Sequence, residues 1–266
     1  MKGLQGKTAI VTGGSRGIGK AIAERLLEEG VSVLFCGRNE QTGLATLAGF
    51  REKYGDKVFF VAADMGDRET PALLVSKARE IFGELDFLVN NAFPFTAKAL
   101  DATYEDWVHV FMAGPAAYAR MIAEFVKQRR RKEGAVVCIS SISGHIAQPL
   151  RWTYNAAKGA VKQLTRCAAM DLAPAVRVNC VSPAWVWTDE VAKATPDGTR
   201  DSVPQAWDEY HLLQKLQEPS QIAATVAFLL SDDAAVITGH DLYADSGYLA
   251  MGPEGLGKTA NFAGSM

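Results

Sequence analysis

The 266-residue chain is short of several things, and each shortage removes a class of explanation. No stretch approaches the roughly 18 continuous apolar residues that a membrane-spanning helix requires. The opening MKGLQGKTAIVTGG enters an apolar strand within a few residues, with no long apolar core and no small-residue cleavage site. A secretory signal is therefore not expected, and the expected location is the cytoplasm. Cysteine is scarce: Cys36, Cys138, Cys167 and Cys180 are widely spaced without a C-x-x-C pair, which argues against a disulfide scaffold. Three of them fall in segments that read as buried strands or a packed helix, where a thiol serves as small apolar packing. His109, His145, His211 and His240 lack metal-ligand spacing, so no metal is expected. The net charge of −2 gives no electrostatic reason to expect nucleic acid or an anionic membrane as partner.

What the chain does have is a soluble globular composition, 48% hydrophobic and 22% charged, at a length that can bury a large core. Short apolar runs alternate with longer amphipathic stretches throughout. Strands are predicted at residues 8–12, 32–36, 58–62, 87–90, 135–140, 176–181 and 241–244. Most are β-branched and apolar without alternation, as when helices cover both sheet faces. Helices are predicted at residues 18–29, 67–82, 107–132, 152–173 and 219–230, the first two ending at Gly30 and Gly83. Regular β-α alternation implies an α/β, Rossmann-like doubly wound domain with a parallel sheet of about seven strands. With no linker or repeat, one domain over residues 1–266 is expected. The stretch from Thr188 breaks the rhythm with Pro196, Gly198, Pro204, Trp207 and Tyr210, and residues 189–217 are read as a substrate lid.

TGGSRGIG at residues 12–19 directly follows the first strand and opens the first helix. Gly13, Gly17 and Gly19 permit a tight turn and close backbone approach, so that the helix amino terminus faces a pyrophosphate. At the tip of the second strand the chain reads LFCGRN, with Gly37 and Arg38 where NAD users place an acid for the ribose. Glu40 lies nearby but starts the next helix. Arg38 and Arg16 together suit a 2′-phosphate, which favours NADP(H), with NAD(H) as the alternative.

Tyr154 and Lys158 are four residues apart on a predicted helix and share one face. An ammonium beside a phenol lowers the phenol pKa towards the working range of a general acid. Upstream, Ser140 and Ser141 close an apolar strand at the sheet edge where ligands bind.

TGGSRGIG, the NNA at residues 90–92, the serine pair and YNAAK together resemble the short-chain dehydrogenase/reductase family in its common form of about 250 residues. The similarity covers almost the whole chain. It implies hydride transfer between nicotinamide and a carbonyl/alcohol pair, with Tyr154 as acid/base, Lys158 holding the nicotinamide ribose, and a serine orienting the substrate oxygen. That serine lies 13 residues before the tyrosine in the family, which selects Ser141 over Ser140. The implied cofactor contacts are Gly13, Ser15, Arg16, Gly17, Ile18, Gly19, Arg38, Asp64, Met65, Asn91, Tyr154, Lys158, Pro183, Val186 and Thr188. A homotetramer or homodimer is also implied, with helices 107–132 and 152–173 as contacts.

Three positions depart from the family pattern. Phe93 stands where NNAG has its glycine. Counting seven residues from Trp107 reaches Gly114, where the family places an asparagine that supports a proton-relay water. Pro-Gly becomes Pro183-Ala184, flanked by Trp185 and Trp187. The first two imply an altered relay and motivate a second hypothesis, a catalytically weak dinucleotide-binding sensor or scaffold. The substrate pocket is expected from the 142–152 loop, Phe93–Phe95, Trp185, Trp187 and the lid. Its aromatics fit a partly apolar substrate or a sugar stacked on an indole, within a set spanning ketones, sugars, polyols and 3-oxoacyl compounds. GPEGLGKT at residues 252–259 matches a P-loop formally, but too few residues follow for the required helix and sheet. RRRK at residues 129–132 reads as the charged end of a helix, and His145 as a loop residue.

Overall fold

The apolar runs become strands, and the stretches between them become helices that bury both faces of the sheet. The computed structural model describes residues 1–127 and 133–252. Its strands are β1 (Thr8–Val11), β2 (Ser32–Gly37), β3 (Val58–Ala62), β4 (Phe87–Asn90), β5 (Gly134–Ile139), β6 (Val176–Pro183) and β7 (Asp241–Ala244). They form a seven-stranded sheet in the order β3-β2-β1-β4-β5-β6-β7, with every neighbouring pair parallel. Chain direction across the sheet reverses between β1 and β4, which opens a crevice at the carboxyl ends of the strands.

The helices are α1 (Gly17–Glu28), α2 (Glu40–Tyr54), α3 (Thr70–Phe82), α4 (Tyr104–Phe111), α5 (Ala117–Lys127), α6 (Trp152–Leu172), α7 (Asp189–Ala192), α8 (Gln205–Glu209) and α9 (Pro219–Leu230). One apolar layer packs Ile22 and Leu26 of α1 and Val226 of α9 against Val11, Val33 and Val137. The other packs Leu74 of α3, Met121 of α5 and Val161 of α6 against Ile10, Leu34 and Val136. Successive strand residues thus feed opposite layers, and each such fully buried aliphatic contributes about 1.5–3 kcal/mol. Helix α2 starts at Glu40, as expected, although its extent was not among the predicted ranges. Its first turn is capped by Asn39, whose side chain accepts from the Thr42 backbone N–H at 2.8 Å, but it buries few residues.

The helix expected over residues 107–132 is two helices. Thr103 and Asp106 form a capping box that starts α4 earlier, at Tyr104. A wider turn over Met112–Ala116 follows, where Gly114 is non-helical (φ −103°, ψ −109°) and Pro115 brings no N–H. Residues 129–132 of the RRRK run, and all of the GPEGLGKT tail except Gly252, lie outside the described residues.

The segment after β6 leaves and returns at one point. Val186 bridges Gln217, whose N–H donates to the Trp185 carbonyl at 2.9 Å while its own carbonyl accepts from Trp187 N–H at 2.8 Å. Cys36, Cys138 and Cys180 are buried and Cys167 is exposed, and burial pushes the Cys36 and Cys138 thiols up to about 11. No described helix is long and apolar enough to cross a membrane.

Candidate active site

The glycine-rich turn lies where β1 gives way to α1, at the crevice. Gly13 has φ +67°, and a Cβ there would sit 2.9 Å from the Ala92 backbone. A Cβ on Gly19 would sit 2.1 Å from the Gly13 carbonyl oxygen. Only glycine leaves this cradle open. Asn91 braces the turn from β4, its amide donating to the carbonyls of Thr12 (2.9 Å) and Gly13 (3.2 Å).

A cleft of about 600 Å³ runs from this turn across the strand ends. All the residues named from the sequence line it: Gly13, Ser15, Arg16, Gly17, Ile18, Gly19, Arg38, Asp64, Met65, Asn91, Ser141, Tyr154, Lys158, Pro183, Val186 and Thr188. Arg38 is exposed at the β2 tip and makes no ion pair among the described residues. Arg16 differs from expectation, because its guanidinium pairs with Glu190 of α7 at 3.0 Å across the cleft.

The two adjacent serines both line the cleft but bond differently. Ser140 is buried, and its hydroxyl donates to the Lys158 carbonyl at 2.9 Å, locking β5 to α6. Ser141 lines the cleft, accepts from the Ser143 N–H at 3.1 Å, and donates its hydroxyl to the Ser143 hydroxyl at 3.1 Å. Tyr154 and Lys158 share a buried face of α6. Lys158 is 3% exposed and donates to the Ile139 carbonyl at 2.9 Å. Burial pushes its amine down to about 7, with the thiols of Cys180 and Cys138 pulling the other way. Burial likewise lifts the Tyr154 phenol to about 12, opposed by the Arg151 charge and the Ser141 hydrogen bond. The Lys158 ammonium lies 5.6 Å over the Tyr154 ring and is itself strongly desolvated.

Phe93 and Gly114, two separate departures in sequence, are one feature in space. A Cβ on Gly114 would lie 2.7 Å from the Phe93 ring. That ring stands 3.7 Å from Lys158 Nζ and edge-on to both Tyr154 (5.7 Å) and Tyr118 (6.0 Å). The ammonium thus has a carbonyl on one side and an aromatic face on the other.

The far wall of the cleft is formed by Phe95, Ser143, Gln148, Arg151 and Trp185. Phe95 lies 5.0 Å from the Tyr154 ring, and Trp185 stacks on Trp207 at 4.6 Å. Trp187, expected in the pocket, lies outside the cleft lining with its ring 5.2 Å from Arg200. His145 is also outside it, bonded to Asp241 (2.8 Å), Ser182 (3.3 Å) and Lys162 (2.8 Å). Sequence reasoning did not single out Arg151, Gln148 or Ser143. The available signal was their place in the loop between Ser141 and Tyr154.

Residues 13–249 match the family model described as Enoyl-(Acyl carrier protein) reductase. Glucose 1-dehydrogenase 2 of Bacillus subtilis is 32% identical over 257 residues, covering 92% of this chain and 96% of that one. Dehydrogenase/reductase SDR family member 4 of Rattus norvegicus is 34% identical over 251 residues, covering 92% and 88%. The structure of L-sorbose reductase from Gluconobacter frateurii, complexed with NADPH and L-sorbose, superposes with a TM-score of 0.86 at 29% identity, covering 92% of this chain and 97% of that one. Matching fold and sequence over this span, the chain belongs to the short-chain dehydrogenase/reductase family, as a nicotinamide-dependent oxidoreductase of the alcohol/carbonyl pair.

Proposed function

We propose that this protein is an NADP(H)-dependent oxidoreductase that works as one domain over residues 1–266, with residues 189–217 as its substrate lid. One observation carries the reading: Tyr154, Ser141 and Lys158 open into the same cleft as the glycine turn and Arg38. The residues fit a dinucleotide, because the cradle at Gly13 and Gly19 is held open where any Cβ would fill it. Gly13, Ser15, Gly17, Ile18 and Gly19 would hold the pyrophosphate, Asp64 and Met65 the adenine side, and Asn91, Pro183, Val186 and Thr188 the nicotinamide side. Arg38, exposed and without an ion pair among the described residues, would take the 2′-phosphate. Arg16 joins it once released from Glu190. When bound, the nicotinamide supplies or takes up the hydride.

The chain's own residues manage the proton. Ser141 donates a hydrogen bond to the carbonyl oxygen of the substrate and so places it beside Tyr154. The Tyr154 hydroxyl gives that oxygen its proton in reduction and removes it in oxidation. A phenol lifted to about 12 is protonated at neutral pH, which favours reduction there; oxidation needs the phenolate and speeds up as the medium becomes alkaline. Lys158, with a pKa of about 7, holds the ribose as a cation below that pH and loses the charge above it. The substrate belongs to the ketone, sugar, polyol or 3-oxoacyl class, and the enzyme works in the cytoplasm as a homotetramer or homodimer.

The second reading, a weakly catalytic dinucleotide-binding sensor or scaffold, is favoured by the desolvated Lys158 beneath Phe93. NADPH consumption at 340 nm with a panel of carbonyl compounds separates the two. Turnover on any member supports the enzyme, and dinucleotide binding with no turnover across the panel supports the scaffold. For cofactor choice, Arg38→Asp is expected to lower the NADPH/NADH affinity ratio at least tenfold, about 1.4 kcal/mol. An unchanged ratio removes Arg38 from the 2′-phosphate site.

A further inference from the structure

The wall between Ser141 and Tyr154 carries a cation with no counter-charge. Arg151 lines the cleft with its guanidinium 5.9 Å from the Phe95 ring, and that ring lies 5.0 Å from Tyr154. The guanidinium makes no hydrogen bond or ion pair among the described residues. The segment SISGHIAQPLRWTY contains no acid at all. The carboxylates that line the cleft come from elsewhere: Asp64 follows β3, and Asp189 and Glu190 follow β6. Glu190 is already engaged by Arg16 at 3.0 Å and Lys193 at 2.9 Å.

The neighbouring groups are donors as well. Ser143 donates its hydroxyl proton to the Gln148 side-chain carbonyl at 2.6 Å, so Gln148 is left with its amide N–H groups to offer. Arg151 immediately precedes α6, whose amino-terminal end adds positive potential at the same place. The backbone just before it is strained. Leu150 has φ +58°, a left-handed conformation unusual for leucine, and its side chain is 75% exposed. Burial of the leucine therefore does not account for that turn, which leads directly into Arg151.

From these observations we infer, resting on the proposed function, that the substrate carries a carboxylate close to its reacting carbonyl, and that Arg151 is the group that binds it. A planar guanidinium matches a carboxylate with two parallel hydrogen bonds. One free cation on the wall answers one negative charge. A phosphate dianion would call for a second, and the other cation near Tyr154, Lys158, is occupied by the Ile139 carbonyl and the Phe93 ring. Phe95, 55% exposed, offers an apolar face to the carbon chain between carbonyl and carboxylate. The substrate class narrows from carbonyl compounds in general to short oxo acids and the corresponding hydroxy acids.

The test uses the full-length protein and matched probes that differ only at the carboxyl group: 2-, 3- and 4-oxo short-chain carboxylates and their uncharged methyl esters. Dissociation constants are measured by calorimetry with and without NADP⁺, for wild type, Arg151→Gln and Arg151→Lys. At least one acid is expected to bind wild type ten times or more tighter than its ester. That ratio collapses towards one in Arg151→Gln and is partly kept in Arg151→Lys. Because Tyr154 and Ser141 meet the acid and its ester alike, a change in the phenol cancels in the ratio. Esters bound as tightly as acids, or an equal loss for both in Arg151→Gln, overturn the inference. Inorganic phosphate bound as tightly as the best acid overturns it too. The NADPH titration is a separate arm: its failure counts against the proposed function, while the acid/ester ratio judges Arg151 on its own.

Discussion

The two ends of the cleft are built by opposite means. At the nucleotide end the chain withholds side chains: Gly13 and Gly19 clear a cradle of backbone, and the one cation at the strand tip, Arg38, stands exposed. At the chemical end the chain packs side chains in. Phe93 fills the space beside Gly114, and Tyr154 and Lys158 are buried beneath it. The first end binds through geometry and solvent-exposed charge, which cost little to maintain. The second holds two ionisable groups out of water, displaced in opposite directions, one up to about 12 and the other down to about 7. Binding and chemistry are therefore expected to fail separately when one end is changed.

The sharpest break at the nucleotide end is Gly19→Ala. Its methyl would meet the Gly13 carbonyl at 2.1 Å, so the turn must shift. NADPH affinity is expected to fall by roughly a hundredfold or more by fluorescence titration, with an overpacking cost to stability of about 1–3 kcal/mol. Retained affinity would show that the cradle is not where the dinucleotide sits.

At the chemical end, Phe93→Leu and Gly114→Ala attack one contact from its two sides. Each is expected to lower kcat by about tenfold, as loss of a desolvated cation–π contact of up to about 2 kcal/mol implies. The double variant should lose far less than the product of the two. The sign for pH follows from the ring stabilising the ammonium: without it the Lys158 pKa falls below about 7, so the alkaline loss of carbonyl reduction begins at lower pH. Additive effects would mean that Phe93 and Gly114 act independently.

Lys158→Met separates function from stability. The amine has an ordinary value of 10.5 and a folded value of about 7, so the folded state binds fewer protons than the unfolded one between those limits. Wild type is thus destabilised as pH falls from 10.5 to 7, with the full cost below 7. The variant should melt higher at pH 7 by a few degrees, at about 2–4 °C per kcal/mol for a chain of this size, and the gain should shrink by pH 9.5. A lower melting temperature at both values would contradict the desolvation reading. The smallest effect is expected from Glu190→Gln: an exposed pair such as Arg16–Glu190 is worth under about 1 kcal/mol. NADPH affinity should change by threefold or less, and less still at high salt.

What could be read from the sequence followed the same division. The glycine turn, the β2 tip and the Tyr154–Lys158 pair are contiguous or share a helix face, so local rules reach them. The parallel, doubly wound sheet follows from β-α alternation for the same reason. The family resemblance is what points to Ser141 over Ser140, and the Ser140 hydroxyl is itself spent on the Lys158 carbonyl. The helix over 107–132 was misread because apolar periodicity carries on through Gly114-Pro115, hiding the wide turn. Phe93 and Gly114 are 21 positions apart, and nothing local announces that a missing Cβ on one makes room for the ring of the other. Arg151 belongs to no motif. Its role depends on the Leu150 backbone and on the absence of nearby acids, both properties of the folded loop. Arg16 lines the cleft, but its Glu190 partner lies 174 residues further on, beyond any pattern rule.

The central claim is that binding and chemistry occupy separable ends of one cleft, with Tyr154 as the proton donor. Tyr154→Phe tests it most directly, with NADPH affinity by fluorescence and kcat by loss of 340 nm absorbance measured on the same preparation. The predicted result is an NADPH dissociation constant within about threefold of wild type and a kcat reduced by about a hundredfold or more, the range of a lost general acid. A variant that keeps kcat within a few-fold of wild type would contradict it.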